Sequence, residues 1–363
     1  MNKLAILYNY FYNFKTNSIT IGGIQTYISD LIVVARKIGY SVTLFQKGEA
    51  NNEIVFQDYR VVEIPTNNND EFCGKVADSI DKDTLVLFAT DSMIPRANPF
   101  KTSIAIQHGI SWDMPNDVDR NFLLMSLSKL RRDINIIKQV HNVNELICVD
   151  YNFVNWYRTC VDKPTIRLKV IPNYTRIASV NNKDSDMVKI IFARRMWWYR
   201  GTRVFVEAIG RILKEYENVM VTIAGTGPDL DLMKASLSSF QNVEFITYKS
   251  DESLSIHSDK HIAVVPTVGS EGTSLSLLEA MSSQCAVVAS NVGGITNILL
   301  DGYNGLMTNA GDSQELYEAL KRLLDDKELL NKLANNGYET VKQAFSHEKW
   351  FSKWSQVLNM YYS

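Results

Sequence analysis

The sequence predicts an α/β protein of two domains, each built on a parallel β-sheet. Three observations lead to this prediction. Short apolar segments alternate with Gly-containing loops and amphipathic helical segments, and both halves of the chain show this order. A polar stretch without apolar periodicity, residues 173–186, lies between the halves. The 363 residues also exceed what one hydrophobic core usually supports.

In the first half, the apolar residues 4–7 predict a buried strand, and apolar positions between residues 24 and 38 recur at helical spacing. Gly39 is expected to end that helix, and residues 41–45 form the next strand. Further strands are predicted at residues 84–88, 104–107 and 146–149.

The second half begins with a predicted strand at residues 188–193 and continues with strands at 219–224, 243–246, 262–265 and 286–289. The last segment, residues 348–362, is rich in aromatic residues and has a helical pattern. We therefore predict one domain at residues 1–175, a second at 176–345, and a C-terminal helix at 346–363.

Composition excludes several classes of function. Hydrophobic residues make up 45% and charged residues 21%, as in ordinary globular proteins. The net charge of -2 gives no global basic field, so we expect no nucleic-acid partner. The four cysteines form no Cys-x-x-Cys pair, which favours buried, reduced thiols in a cytosolic protein over a metal site. Apolar runs are too short to span a bilayer, and the N-terminal run is interpreted as a strand rather than a signal peptide.

The loop after residues 262–265 has the features of an anion site. It enters a helix at Leu275, where Thr273 or Ser274 is expected to be the N-cap. Free backbone N–H groups and the helix dipole at such a place favour an anion, for example a diphosphate.

Two carboxylates flank this predicted anion site. Glu271 precedes the helix, and Glu279 lies inside it. Because a carboxylate does not bind phosphate, the hydroxyl groups of a sugar and of a ribose are the expected partners.

Three arginines follow the strand at residues 188–193. Arg194, Arg195 and Arg200 lie near the strand end, where arginines can bind phosphate oxygens bidentately and stabilise a charged leaving group. A solvated surface loop is the alternative interpretation.

In the first domain, Gly22 and Gly23 open a helix and allow the backbone to approach a phosphate or sugar closely, although any tight turn uses such a pair. His108 follows a strand and precedes Gly109, with Asp113 in the same loop. This position favours a functional histidine over a structural one.

Two further patterns are weaker. Asp117 and Asp119 have the spacing of a metal-binding pair, but their polar surroundings favour a solvent-facing role. Residues 123–140 form an amphipathic helical pattern with four basic residues. An ordinary packed helix with a solvated basic side is the favoured interpretation, and a helix on a membrane surface is the alternative.

Taken together, these motifs resemble the retaining glycosyltransferases of family 4, which have the GT-B fold. The resemblance covers nearly the whole chain and is strongest over residues 188–306. Glu271 and Glu279 match the family's two glutamates separated by seven residues, and residues 194–201 match its arginine loop. Gly22 and Gly23 match its Gly-Gly loop, and His108 matches its cleft histidine. Residues 293–305 match a glycine-rich segment of the family.

The resemblance implies two Rossmann-like domains that face each other across a cleft, the first for the acceptor and the second for the nucleotide-sugar. The C-terminal helix would return to the first domain. The implied catalytic residues are His108, Arg195, Arg200 and Glu271. The implied donor-binding residues are Gly22, Gly23, Thr273, Ser274, Leu275 and Glu279.

The resemblance also implies specific roles. Arg195 and Arg200 would hold the donor diphosphate, Glu279 the ribose, and Glu271 the transferred sugar, while His108 would contact that sugar. The departing phosphate would help to deprotonate the acceptor. The chain departs from the family at three places. Arg200 stands where the family has a phosphate-binding lysine, Thr273-Ser274 where it has Phe-Gly, and Thr296-Asn297 where it has Pro-Glu. These departures leave the identity of the donor open.

The expected activity is retaining transfer of a hexose-type sugar from a nucleoside-diphosphate-sugar to a glycan or lipid-linked acceptor, in bacterial surface-polysaccharide or glycoconjugate biosynthesis. No metal or other cofactor is expected. The expected location is the cytoplasm, with peripheral contact at the inner face of the plasma membrane left open. The alternatives are a nucleotide-sugar epimerase of the same fold and an inactive nucleotide-sugar-binding subunit. A phosphorylase would need a cofactor lysine, for which the phosphate loops offer no candidate.

Overall fold

The computed structural model describes residues 2–20, 22–111, 113, 122–162, 166–179, 183 and 186–362. The chain divides into two units. The first contains Met1–His108, Asp117–Ile171 and Phe351–Ser363, and the second contains Gly109–Asn116 and Pro172–Trp350. The main change of unit thus falls between Ile171 and Pro172, close to the polar stretch in which the sequence places the linker.

The first unit is built on an eight-stranded sheet with the order β10-β9-β8-β7-β1-β4-β6-β5. All neighbours pair in parallel except the edge strand β5, which is antiparallel to β6. A two-stranded ribbon, β2 and β3, lies apart from this sheet. The strands are β1 Lys3–Tyr8, β2 Tyr12–Asn13, β3 Ser18–Ile19, β4 Ser41–Gly48, β5 Asn52–Phe56, β6 Tyr59–Pro65, β7 Leu85–Phe88, β8 Ser103–Gln107, β9 Glu145–Cys148 and β10 Arg167–Val170.

Five helices belong wholly or partly to this unit. They are α1 Gly23–Ile38, α2 Asn69–Ser79, α3 Phe122–Val140, α4 Tyr151–Cys160 and α11 His347–Asn359. Gly39 ends α1 in the left-handed conformation with φ 110°, which confirms the predicted helix end. The predicted strands of this half are all present, whereas the ribbon strands β2 and β3 and the sheet strands β5, β6 and β10 were not predicted.

The second unit has a six-stranded sheet in which all neighbours are parallel, with the order β13-β12-β11-β14-β15-β16. Five of its strands were predicted within one residue of their bounds. The strands are β11 Val188–Ala193, β12 Val219–Ala224, β13 Val243–Ile246, β14 Ile262–Val265, β15 Ala286–Ser290 and β16 Leu306–Thr308. The helices are α5 Thr202–Glu215, α6 Leu230–Leu237, α7 Ser253–His257, α8 Leu275–Ser282, α9 Ser313–Asp325 and α10 Lys327–Ala344.

Helices cover both faces of this second sheet. Along β11, Ile190 and Phe192 join the core formed with α5, α6 and α9, whereas Ile191 and Ala193 join the core formed with α8 and α10. Successive side chains of a strand point to opposite faces, so a strand buried on both sides is a continuous apolar run. The structure therefore confirms two Rossmann-like α/β domains with parallel sheets.

The end of the chain packs on the first unit. The indole Nε1 of Trp354, which is fully buried, donates a hydrogen bond of 2.7 Å to the hydroxyl of Tyr27 on α1. The hydroxyl of Tyr40 donates to the carbonyl of Leu358 at 2.9 Å. These contacts confirm that the C-terminal helix returns to the N-terminal domain.

Three cysteines are buried as expected, but Cys160 is exposed, because it lies in the last turn of α4. None of the four forms a disulfide within the described chain. Over the same residues, no helix is both long and apolar enough to cross a membrane.

Replacing Trp354 by Ala should lower the free energy of unfolding by about 3–5 kcal/mol, because the change removes a fully buried indole and leaves the Tyr27 hydroxyl without this donor. Urea denaturation measures the loss. Lys353→Ala, at an exposed position of the same helix, is the matched control and should change stability by about 0.5 kcal/mol or less. Equal effects of the two substitutions would contradict the packing described.

Candidate functional site

The carboxyl ends of β11, β14 and β15 bring three loops of the second unit together. Strands that run in parallel end at one edge of their sheet, so the loops that follow them are neighbours. The loop after β14 carries Glu271 and enters α8, and the loop after β11 carries the three arginines. The loop after β15 carries Gly293 and Gly294.

Two arginines and a threonine surround the carboxylate of Glu271. Arg194 Nη2 lies 2.9 Å from Glu271 Oε2, and Arg200 Nη1 donates to the same oxygen. Thr267 Oγ1 accepts from Arg194 Nη1 at 2.6 Å and donates to Glu271 Oε2 at 3.0 Å. The side chains of Arg194 and Glu271 are only 5% and 9% exposed, whereas that of Arg200 is 25% exposed.

This environment fixes the charge of Glu271. Burial alone would raise its pKa, but the charges of Arg194 and Arg200, together with hydrogen bonds from Arg194 and Thr267, outweigh burial and hold the pKa below its usual range. Glu271 is therefore ionised at neutral pH. Two cations surround one anion, so the cluster keeps an excess positive charge.

Arg194 rather than Arg195 lies beside Glu271, and the expected role of Arg195 at the donor diphosphate stays a prediction. Arg195 is exposed, whereas Arg194 is buried beside Glu271. The backbone N–H of Arg194 bonds to the carbonyl of Ala224 at 3.0 Å, which continues the pairing of β11 with β12 by one residue. Strand alternation then sends the next side chain, Arg195, in another direction.

Close backbone packing positions the Glu271 loop. A Cβ on Gly294 would lie 2.4 Å from the carbonyl carbon of Gly272, and the N–H of Gly294 donates to the carbonyl of Glu271 at 2.8 Å. Ser270 adopts a positive φ of 53°, which is uncommon for a residue with a side chain. Asn173 Nδ2 also donates to the carbonyl of Thr273, at 2.9 Å.

The start of α8 differs from the expectation in one respect. Ser274 is the N-cap residue, but its side chain makes no capping hydrogen bond and its hydroxyl instead lies 3.3 Å from that of Ser276. The side chains of Thr273 and Ser274 are buried. A ligand at the first turn, which begins at Leu275, would therefore meet backbone N–H groups, which a helix start leaves without intrahelical partners.

Glu279, one and a half turns into α8, has a different electrostatic environment. It is half-buried, and burial raises its pKa to about 7. Burial also raises the pKa of Tyr248 to about 12, with a further contribution from Glu279. The two glutamates that the sequence analysis paired thus differ in protonation: Glu271 is ionised and Glu279 titrates near neutrality.

An aromatic segment adjoins the cluster. Trp197 and Trp198 are 41% and 47% exposed. The carbonyl of Tyr199 accepts from the N–H of Val268 at 2.8 Å, and the guanidinium of Arg200 lies 5.1 Å from the Tyr199 ring centre. This segment is therefore fixed to the loop that carries Glu271.

Of the predicted residues of the first unit, His108 lies at the carboxyl end of β8, and Gly22 and Gly23 follow the ribbon strand β3. Gly22 is the N-cap residue of α1 and Gly23 its first residue. His108 Nε2 lies 2.8 Å from the carbonyl of Ala89, and its ring stands edge-on to Tyr27 with the ring centres 5.4 Å apart. Burial lowers the pKa of His108 to about 4. The ring is therefore neutral at pH 7, with Nε2 as donor and Nδ1 left as an acceptor.

Two carboxylates at the same edge were missed by the sequence analysis. Asp150 follows β9 and is 1% exposed; its Oδ1 accepts from the N–H of Asn152, while Oδ2 has no partner among the described residues. Burial raises the pKa of Asp150 and raises that of Asp91, after β7, to about 6. An aspartate directly after a buried strand was the available signal.

Other candidates stay outside the sites described. Asp113 is exposed, and Asp117 and Asp119 lie outside the described residues. Within the described part of the chain, no three His, Cys, Asp or Glu side chains are grouped as metal ligands. The expectation of a metal-independent site stays a prediction.

Comparison with known proteins adds an independent line of evidence. Residues 173–340 match the family model of glycosyl transferases group 1. The phosphatidyl-myo-inositol mannosyltransferase of Mycobacterium leprae is 26% identical over 163 residues, which are 45% of this chain and 42% of that protein. The chain spans about half or less of the length of such relatives. For two uncharacterized glycosyltransferases of Methanocaldococcus jannaschii, the matched part is 54% and 35% of the relative's own length.

Solved structures share the fold over the whole chain. Sucrose-phosphate synthase from Thermosynechococcus elongatus superposes with a TM-score of 0.76 at 16% identity and covers 100% of this chain and 99% of its own. HepE from Anabaena, solved with UDP, gives a TM-score of 0.73 at 15% identity, with 99% and 100% covered. The chain thus has the fold of the GT-B glycosyltransferases, and its residues 173–340 are similar to the glycosyl transferases group 1.

Proposed function

We propose that the protein is a metal-independent, retaining glycosyltransferase. It moves a hexose-type sugar from a nucleoside-diphosphate-sugar to a glycan or lipid-linked acceptor in bacterial surface-polysaccharide or glycoconjugate biosynthesis. The observation that carries the proposal is the cluster of Arg194, Arg200 and Glu271 beside the start of α8.

The excess charge of this cluster fits a diphosphate. Two guanidinium groups face one carboxylate, and the first turn of α8 lacks a side-chain cap, so an anion would complete both. Arg200 is the more accessible of the two arginines and is suited to bind the ligand, while buried Arg194 holds Glu271 in place. The solved complex of HepE with UDP supports a nucleoside diphosphate as the ligand class.

The carboxylates would then bind hydroxyl groups. Arg200 would turn to the phosphate, and the carboxylate of Glu271, still held by Arg194 and Thr267, would accept from a hydroxyl of the transferred sugar. Glu279 would accept from the ribose. In the first unit, the neutral ring of His108 offers Nδ1 as an acceptor for a further sugar hydroxyl.

The chemistry follows from these roles. The bond between the anomeric carbon and the phosphate oxygen breaks, and negative charge develops on the departing diphosphate. Arginines that already lie beside the diphosphate when the reaction starts stabilise that charge without any rearrangement of the site. The acceptor oxygen bonds to the anomeric carbon on the same face, and its proton passes to the departing phosphate oxygen.

Arg194→Ala should lower the rate of sugar release from a bound nucleotide-sugar by about 100- to 1,000-fold, whereas Arg195→Ala should leave it within about threefold. The physical reason is that, of these two neighbouring arginines, Arg194 contacts Glu271 and Arg195 is exposed. The rate is measured by chromatography of the released nucleoside diphosphate, with the donor first chosen by a thermal-shift screen of nucleoside diphosphates and their sugars.

Because Arg194 is buried, folding of its variant needs a check by circular dichroism. Arg200→Ala, at a more exposed position, is the second variant and should show a similar loss. A larger loss at Arg195 than at Arg194 would overturn the assignment.

Donor affinity should rise with pH up to about pH 7, by up to about tenfold per pH unit, and level off above it. Glu279 titrates near pH 7 in the free protein, and ribose hydroxyls donating to its carboxylate favour the ionised form. Binding therefore releases a proton. Calorimetry with a nucleotide-sugar, whose phosphates do not titrate in this range, measures both effects. Glu279→Gln should make the affinity independent of pH; the same pH dependence in both proteins would contradict the role of Glu279.

Anomeric proton NMR during turnover tests retention and separates the alternatives. A retaining transferase forms a first product with the anomeric configuration of the donor. An epimerase instead changes the donor with no acceptor present, and an inactive subunit binds donor without turnover. Either of these outcomes, or an inverted product, would reject the proposed reaction.

A further inference from the structure

We infer that helix α3 lies flat on an anionic lipid surface and carries the protein's first unit to it. The contact face consists of Leu127, Leu130 and Ile134, flanked by Arg131 and Lys138; we call it the α3 face. The inference rests on the first unit alone and is independent of the proposed function.

The α3 face is apolar and exposed. Leu127, Leu130 and Ile134 are 62%, 56% and 43% exposed. Their spacing of three and four residues places them on one side of the helix. A folded protein normally buries an apolar stripe of this kind. An exposed one therefore indicates a site that makes contact with another surface.

The opposite side of α3 faces the protein. Met125 and Ile136, about half a turn round the helix from Leu127, are half-buried, and Val140 is buried. Gln139 Nε2 donates to the carbonyl of Ile94 at 3.0 Å, which holds the end of the helix. The helix is therefore packed on one side, and its solvent side carries apolar side chains besides the expected basic ones.

Positive charge borders the apolar stripe. Arg131 follows Leu127 by four residues and Lys138 follows Ile134 by four, so all four side chains lie along one line of the helix. Both basic residues are exposed. Within the described residues the one carboxylate of α3, Asp133, pairs with Arg132 at 3.0 Å and leaves the charge of the α3 face uncompensated.

This combination fits lipid better than a second copy of the chain. Two α3 faces packed together would bring arginine and lysine side chains of like charge close to each other, with no acidic group on the face to pair with them. In a headgroup layer the apolar side chains enter the acyl boundary, while the long basic side chains extend to the phosphates. The net charge of the whole chain is -2, so the attraction must come from this local face.

Vesicle flotation with the full-length chain tests the inference. Vesicles of phosphatidylcholine alone are compared with vesicles containing about 30% phosphatidylglycerol, at about 0.05 and 0.5 M salt. We expect binding to the anionic vesicles only, and weaker binding at high salt. The triple substitution Leu127→Ser, Leu130→Ser and Ile134→Ser should reduce the bound fraction at least about tenfold.

Two further variants keep the outcome interpretable. Arg131→Glu combined with Lys138→Glu leaves the apolar stripe and should abolish the preference for anionic vesicles. The matched control is Val55→Ser, which removes an apolar side chain that is 70% exposed elsewhere in the first unit and should bind like the unchanged protein. Circular dichroism checks that α3 stays folded, and thermal shift with a nucleoside diphosphate reports the donor site separately.

The inference is overturned if the unchanged protein does not float with anionic vesicles, or if the triple variant floats equally well. It is also overturned if light scattering shows a dimer that the triple variant converts to a monomer, because the α3 face would then join two copies. Loss of nucleotide binding with intact flotation would instead reject the proposed function and leave this inference standing.

Discussion

A carboxylate shared by two arginines is the interaction on which the candidate site depends. Neither Glu271 nor Arg194 could be buried alone, because an unpaired charge in a protein interior loses its hydration without compensation. Arg200 adds a second cation, which holds the pKa of Glu271 low and leaves one positive charge in excess. The site is therefore preorganised for an anion, and a bound diphosphate would release the sugar-binding oxygen of Glu271 from Arg200.

Backbone packing gives this charge cluster its geometry. Gly201 has φ 80°, and a Cβ there would lie 1.7 Å from the carbonyl oxygen of Pro266. Gly293 has φ 47°, and a Cβ there would lie 2.1 Å from the carbonyl oxygen of Glu271. The loops after β11, β14 and β15 thus touch through their main chains at positions that side chains would separate. The left-handed Ser270 between them is a further sign that packing of the neighbouring loops determines the conformation.

In the first unit, packing likewise determines the state of a polar side chain, that of His108. The indole of Trp354 donates to Tyr27, and the ring of Tyr27 stands against His108. The end of the chain therefore supports the side chain that the sequence analysis placed beside the sugar. Burial keeps the His108 ring neutral, and the Ala89 carbonyl selects its tautomer, so the residue presents an acceptor rather than a positive charge.

The sequence by itself determined the two α/β domains, ten of the fourteen strands in their main sheets, the end of α1 at Gly39 and the loops that carry Glu271 and His108. These features follow from the local periodicity of apolar residues and from residues, such as glycine, with unusual backbone conformational freedom. Tertiary structure alone decided that Arg194 rather than Arg195 meets Glu271, that Glu279 titrates near neutrality, and that α3 turns Leu127 and Leu130 to solvent. Each of these depends on which surface lies opposite a side chain, since burial and neighbouring charge are set by contacts between segments distant in sequence.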